Sequence, residues 1–307
     1  MSDLLLRPME PADWPRVAAL IHSGTNTWYQ SHGMAQIFGC EPGEVELFCR
    51  VYEDLDPGCC VLAESDGQLL GSCFYHPRPS HVALGIMNVD ANAFGRGVAG
   101  RLLGYVIEQA EQRNLPVRLV SSALNLDSYS LYNRAGFVPY GIYQDMTLKV
   151  PETGFPHRPE GADRVRDGRP ADAAAMAALE RELSSIDREK DFRYFLENRE
   201  GIWRVSVLEA DAGTLSGFLV SVRHAASHML GPGAMRDQAS AIALLASELD
   251  QHRGGSPVWI VPADQQQLVR QCYAWGARNC ELHFAQVLGE VRRLTGVAMP
   301  TFMPETG

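Results

Sequence analysis

The sequence predicts an α/β protein assembled from two copies of one domain, and three observations carry that reading. Strand-like and helix-like patterns alternate along the chain. A glycine-rich run, Phe94-Gly95-Arg96-Gly97-Val98-Ala99-Gly100-Arg101, lies between a short apolar run (84–89) and an amphipathic stretch, in the order strand, loop, helix. Near residue 163 the chain starts again: residues 6–20 align without gaps with 165–179, sharing Arg7/Arg166, Pro11/Pro170, Ala12/Ala171, Asp13/Asp172 and Leu20/Leu179. Two copies of one unit, rather than a solenoid, account for this similarity.

Each element has a local cause. Residues 4–8 read as a first strand, and Pro11-Ala12-Asp13 then offers helix-start chemistry. Trp14, Val17, Ala18, Leu20 and Ile21 give that helix its apolar face. A second helix is expected over 44–52, within loops rich in Gly, His and aromatics. Residues 60–64 and 69–75 form a hairpin around Asp66-Gly67. Residues 81–89 are the next strand. Ala99, Leu102, Leu103, Val106, Ile107 and Ala110 recur at helical spacing over 98–113. Asn114-Leu115-Pro116 stops that helix, 117–120 is a buried strand, and 125–135 is a helix closed by Gly136. Residues 137–150 supply the last strand or two.

The stretch 150–163 holds three prolines and two glycines and reads as a linker. The expected division is 1–150, a linker at 151–162, a second copy at 163–290 and a tail at 291–307. The hairpin recurs, with Val61-Leu62, Gly67, Leu69 and Gly71 matching Val207-Leu208, Gly213, Leu215 and Gly217. Pro116-Val117 matches Pro257-Val258, and Gly136 matches Gly276.

Composition narrows the function. At 307 residues each half is long enough to bury its own core. A net charge of -10 with no long Lys/Arg run argues against nucleic acid as a partner. No apolar stretch reaches the roughly 18–20 residues of a membrane span, and residues 1–8 lack a basic and apolar leader. Seven cysteines, an odd number without C-x-x-C spacing, fit a reducing, cytoplasmic setting better than a disulfide framework. Cys59-Cys60 reads as a pair of small buried hydrophobes.

Glycines allow several backbone N–H groups to converge, and the helix that follows adds its positive end, so the 94–101 run is suited to phosphates. Gly95-x-Gly97-x-x-Gly100 formally fits a dinucleotide fingerprint. Five residues, Asp90 to Phe94, separate it from the strand, and the next strand ends Val120-Ser121-Ser122 without a carboxylate for a ribose. A nicotinamide cofactor is therefore disfavoured.

The element order, and two residue signatures, resemble the GNAT (GCN5-related) N-acetyltransferase family. That family's loop reads Q/R-x-x-G-x-G/A after a strand-end valine; here Val89, Gly97, Ala99 and the Leu102-Leu103 pair stand at the matching positions. Its second signature appears as Asn125, Ser128, Leu131-Tyr132 and Gly136-Phe137. The departure is Phe94 at the Q/R position, which weakens rather than abolishes the expected coenzyme contact. The resemblance covers most of residues 3–150. It implies two tandem GNAT domains, each a mixed, largely antiparallel sheet with helices on both faces.

The resemblance further implies acetyl-coenzyme A as cosubstrate, transfer of acetyl to a primary amine of a small molecule or peptide, and no metal. Pyrophosphate would sit on the N–H groups from Arg96 to Arg101, with Asn125 and Ser128 nearby. Backbone N–H near Asn88 or Val89 would polarise the thioester, and Tyr132 would protonate the leaving thiolate. Each residue also has a plainer reading: Tyr132 as a half-buried aromatic, Asn125 as a helix cap, His76 as a loop-edge histidine, Asp90 as a solvated turn residue. His76 and Asp90 are the candidate bases, with Asn88 an alternative that orders a water. Tyr29, His32 and Glu53 fall where acceptor-lining helices are expected, or simply on the surface. In the second copy the loop becomes Met235-Arg236-Asp237-Gln238-Ala239-Ser240, Cys272 replaces Tyr132, and Gly231 and Gly233 come too early. That copy reads as degenerate, covering or completing the acceptor pocket. The alternative function is a coenzyme-binding regulatory module without turnover. Acceptor identity and oligomeric state are not encoded in these motifs.

Overall fold

The computed structural model describes residues 4–210, 214–291 and 294–305, so Gly213 of the repeated hairpin and residues 1–3 lie outside it. The chain divides into two compact units. One comprises Met1–Pro77, His81–Leu119 and Phe302–Gly307; the other comprises Arg78–Ser80 and Val120–Thr301. This division does not follow the 1–150 and 163–290 boundaries of the repeat, for a reason that lies in strand pairing.

The first unit opens with β1 (Leu5–Pro8), α1 (Trp14–Ser31) and α2 (Glu46–Leu55). Helix α1 outruns the 14–21 apolar stripe because buried Asn26 anchors its second half. The Asn26 amide donates to Phe38 O at 2.9 Å and accepts from Phe38 N–H at 2.9 Å. Then come β2 (Cys60–Ser65), β3 (Gln68–Pro77), β4 (Val82–Val89), α3 (Val98–Glu111) and β5 (Val117–Ser122). Asp66 and Gly67 turn the β2–β3 hairpin with φ of 51° and 75°, the left-handed conformation such a turn requires.

Strands β1 to β4 pair antiparallel in chain order, and β4 meets β5 in parallel at Val82↔Val117 and Ala83↔Arg118. Beyond Ala83, β4 continues to Val89. A Cβ on Gly24 of α1 would meet Asn88 Oδ1 at 3.3 Å, and one on Gly71 would meet Val98 Cγ1 of α3 at 2.9 Å. Gly71 pairs with Val89, and successive residues of a strand face opposite sides. Helices α1 and α3 therefore cover opposite faces of β4.

The second unit takes over β5 at Val120 and adds α4 (Leu126–Arg134), β6 (Val138–Thr147), β7 (Val165–Asp167), α5 (Ala173–Ser184), α6 (Glu189–Glu197), β8 (Trp203–Glu209), β9 (Leu215–His224), β10 (Ser227–Met235), α7 (Gln238–Gln251), β11 (Val258–Pro262), α8 (Gln266–Ala274), β12 (Arg278–Leu288) and β13 (Val297–Met299). Its strand order is β5-β12-β6-β11-β10-β9-β8-β7, with β13 on β10. Strand β6, the last of the first repeat, thus lies between the last two strands of the second. It pairs with β12 from Thr147↔Arg278 to Val138↔Val287 and with β11 from Thr147↔Val258 to Tyr143↔Pro262.

The Pro/Gly stretch is docked rather than free. Val150 and Phe155 are buried in the core of the second unit, and Phe155 N–H donates to Asp250 at 2.8 Å. Met229↔Val258 and Leu230↔Trp259 repeat the short parallel ladder of β4 and β5. There β13 pairs with β10 at Gly233↔Met299 through Met235↔Val297. Gly231 makes room for this segment, since a Cβ there would stand 2.6 Å from Pro300 O, whereas one on Gly233 would meet Leu219 and Phe218 of β9.

The duplicated residues build the same corner twice. Arg7 grips Asp13 through two contacts of 2.7 Å, and Arg166 grips Asp172 at 2.8 and 2.9 Å. Each carboxylate also accepts the N–H three residues earlier, Glu10 at 2.9 Å and Arg169 at 2.7 Å. The Arg7 guanidinium holds the Asp13 carboxyl below its usual range, and Arg166 does the same for Asp172. A depressed folded-state pKa adds stability that is complete above the unfolded value and is lost as pH falls through the folded one. Asp13→Asn should lower unfolding free energy by about 1.5–3 kcal/mol at pH 7, measured by urea denaturation. The difference from wild type should shrink on titration below roughly pH 4.

Candidate functional site

The 94–101 loop is built by its glycines. Asp90 closes β4 by accepting Asn92 N–H at 2.8 Å, capping the short turn Ala91–Ala93. Gly95 and Gly97 then take φ of 76° and 80°, and Gly97 is the residue at which α3 begins. Val98, Leu102 and Leu103 are buried and seat the helix. The first intrahelical bond of this turn runs from Arg101 N–H to Gly97 O at 3.1 Å. The N–H groups of Val98, Ala99 and Gly100 thus precede any i→i−4 partner, and Gly97 has no side chain to cap them. Gly97, Gly100, Arg96 and Arg101 are exposed around this helix end. An exposed N-terminus of this kind carries partial positive charge suited to an anion. Phe94 is 58 % exposed beside it.

The remaining candidates of the first unit occupy defined places. Asn88 accepts a hydrogen bond from Thr25 Oγ1 of α1 at 3.4 Å, while its backbone pairs with Ser72 on β3. Val89 pairs with Gly71 beneath α3. Asp90 is half-buried and, with Arg16, Ser23, Leu70, Asn92 and Arg96, lines a cavity of about 490 Å³. His76 is fully buried, its Nδ1 2.8 Å from Asp56 Oδ2 and its ring 4.7 Å from that of Tyr52. His32 is exposed, bonded through Nδ1 to Trp28 O at 2.8 Å and stacked on the Trp28 ring. Tyr29 packs edgewise on Trp28 at 5.1 Å. Glu53 accepts Gly58 N–H at 3.0 Å and so shapes the turn after α2.

Asn125, Ser128 and Tyr132 belong to the second unit. Asn125 caps α4 by accepting Ser128 N–H at 3.0 Å. Tyr132 is buried, with Phe137 as ring neighbour at 5.8 Å. Strand β12 braces this helix with residues for which the sequence offers no motif. Buried Gln286 accepts from Ser121 Oγ at 3.1 Å and donates to Asn133 at 3.5 Å, and Phe284 packs on Tyr129 at 5.2 Å. Nearby Asp145, Glu281 and His283 bring ligand-type atoms within 4.8 Å of one another. Asp145 and His283 pair at 2.8 Å, and Ser122 donates to Glu281.

The counterpart of the loop in the second repeat is shut. Helix α7 starts at Asp237, whose carboxylate accepts Ser240 N–H at 2.8 Å. An acid thus occupies the helix end that an anionic ligand would need. Cys272 is fully buried and its thiol is pushed up to about 12 by desolvation, whereas Tyr273 is exposed and reaches Gln144 at 3.3 Å.

Residues 25–137 match the model of the acetyltransferase (GNAT) family. Over nearly its full length the chain is similar to solved structures of related architecture. A candidate acetyltransferase of Pyrococcus horikoshii aligns at 16 % identity over 95 % of this chain and 91 % of that one, with a TM-score of 0.75. A GCN5-related N-acetyltransferase of Sphaerobacter thermophilus aligns at 18 % identity over 93 % and 95 %, with a TM-score of 0.64. A tandem GNAT protein of the clavulanic acid biosynthesis pathway aligns at 13 % identity over 93 % and 98 %, also at 0.64. No functionally curated protein matches the sequence. The match to the GNAT acetyltransferase family model thus covers the glycine-rich loop and the Asn125-to-Phe137 signature. The fold of the chain as a whole is that of the tandem GNAT proteins. Among the described residues no helix is long and apolar enough to cross a membrane.

Replacing Gln286 with Leu would leave Ser121 and Asn133 without their shared partner. The variant should lose about 1–3 kcal/mol of stability in urea denaturation, with hydrogen exchange in α4 rising most.

Proposed function

We propose that the protein transfers an acetyl group from acetyl-coenzyme A to a primary amine, using the loop at 94–101. The observation that supports this most strongly is the contrast between two equivalent helix ends. Helix α3 begins on a glycine and leaves its N–H groups uncapped among exposed arginines, whereas Asp237 caps α7. Val98, Ala99 and Gly100 would hold the pyrophosphate through backbone N–H, with Arg96 and Arg101 adding charge. When bound, acetyl-coenzyme A supplies the activated acyl group.

Around that group the chain's own residues divide the work. Backbone N–H near Asn88 or Val89 would stabilise charge developing on the carbonyl oxygen. His76, paired with Asp56, or Asp90 at the end of β4, would accept the proton that the amine loses as the new C–N bond forms. Tyr132 would donate its hydroxyl proton as the C–S bond breaks. In this reading the second repeat binds no coenzyme, because Asp237 caps α7, Cys272 replaces the tyrosine and β13 pairs along β10.

Acetyl-coenzyme A at about a hundredfold excess over Kd should stabilise the wild-type protein by about 2.7 kcal/mol in thermal melts. An amine panel should then reveal acceptor-dependent thiol release. Tight coenzyme binding without such release would favour the regulatory module that Phe94 suggests. In Tyr132→Phe, kcat should fall about a hundredfold with KM for the coenzyme little changed; unchanged kcat across the pH range would remove Tyr132 from the chemistry. Phe94→Arg should bind acetyl-coenzyme A more tightly in calorimetry, with a steeper dependence on salt.

A further inference from the structure

After β12 the chain forms β13 in the second unit, and its continuation from Phe302 belongs to the first. Within the first unit, that segment meets His76. Glu305 is 6 % exposed, and its Oε2 accepts the Tyr52 hydroxyl proton at 2.7 Å. The same hydroxyl is 2.8 Å from Phe302 O. Glu305 Oε2 is also 3.6 Å from His76 Nε2, while Asp56 holds Nδ1 on the other side of the ring. The imidazole is thus the middle member of a carboxylate–imidazole–carboxylate row. It rests directly on β4, where a Cβ on Gly85 would come within 2.7 Å of Nε2.

The electrostatics of this row follow from its members. Burial of the ring disfavours imidazolium, and two flanking carboxylates favour it. Titratable groups beside the ring include Asp56 after α2, Tyr52 on α2 and Glu305. Cys73 on β3 feels Glu305 as well. Burial and the Glu305 carboxylate push the Tyr52 phenol well above its usual value, so it remains a donor. Burial, then Glu305, push the Cys73 thiol up, so it stays protonated. At 3.6 Å the Glu305–His76 contact lies within ion-pair range of a protonated ring and is too long for a hydrogen bond, which an approach of roughly 0.6 Å would make.

We propose that Glu305, carried in from the far end of the chain, is a positioning residue for His76, orienting its Nε2 and raising its affinity for a proton. This rests on the acyl-transfer reading of the first unit, in which His76 is a candidate base. In that role the ring keeps its Nδ1 proton, hydrogen-bonded to Asp56, and gains a second proton on Nε2, and the negative charge of Glu305 balances the imidazolium so formed. Neither partner of this ring, Asp56 or Glu305, belongs to the two GNAT signatures.

The test is a titration of His76 by NMR in the full chain labelled at histidine, the signal assigned by its loss in His76→Asn. In Glu305→Gln the midpoint should fall by about one pH unit, and the acidic limb of kcat/KM should move down with it. Glu305→Asp, which keeps the charge, should hold the midpoint nearer to wild type. Tyr52→Phe removes the proton donor to Glu305, leaves the carboxylate more basic and should raise the midpoint. Opposite shifts in Glu305→Gln and Tyr52→Phe support the proposal. An unmoved midpoint in Glu305→Gln, or a fall in both variants, overturns it. If Glu305→Gln does not fold, Glu305→Asp and Tyr52→Phe decide: neither moving, or both falling alike, overturns the proposal. The midpoint is read without turnover, so wild-type protein that shows these shifts but no acceptor-dependent thiol release would defeat the acyl-transfer reading alone.

Discussion

Strand β6 paired on both edges is the constraint on which the second unit depends. Its backbone groups are shared between β12 on one side and β11 on the other. A strand satisfied on both edges cannot leave without stranding two rows of N–H and C=O groups. Because β6 continues directly from α4, the same ladder fixes where the helix carrying Tyr132 stands. Because β12 borders β6 on the side of β5, Gln286 comes between Ser121 and Asn133. The second repeat thus braces the Asn-to-Phe signature of the first, even though its own loop is capped.

The two repeats separate at one kind of position. Both keep the Arg–Asp corner, the hairpin strands and the two-pair parallel ladder. They part at the start of the helix that follows, glycine in one and aspartate in the other. A capping carboxylate satisfies an orphan N–H and neutralises the helix end. An uncapped glycine leaves both for a ligand. The second repeat also accepts β13 along β10, where Gly233 pairs with Met299 and Gly231 leaves space for Pro300.

Legibility in the sequence tracked the range of the interactions involved. The 94–101 loop and the Asn125 cap were readable because each is made by residues close in sequence, and Arg7 and Asp13 were legible as repeated positions though their contact was not. Helix α1 was undercounted because its second half is held by Asn26 across to Phe38. The 150–163 stretch read as a linker by composition, and its Phe155 is buried in the second unit's core. Gln286 and Glu305 gave no signal at all, since their partners lie more than a hundred residues away and no spacing rule connects them.

By itself the sequence determined the kind of fold this is: an α/β unit present in two copies, one of them with a glycine-rich loop and local signatures that resemble the GNAT family. Those properties follow from periodicity, turn chemistry and capping, which act over one or two turns of chain. Only the tertiary structure decided which strand borders which, that β6 pairs inside the other repeat, and that His76 stands between Asp56 and Glu305. These are choices among long-range partners, made by burial and backbone pairing rather than by any local preference. The 94–101 loop could be found from its glycines; the buried row beside β4 needed the fold to exist.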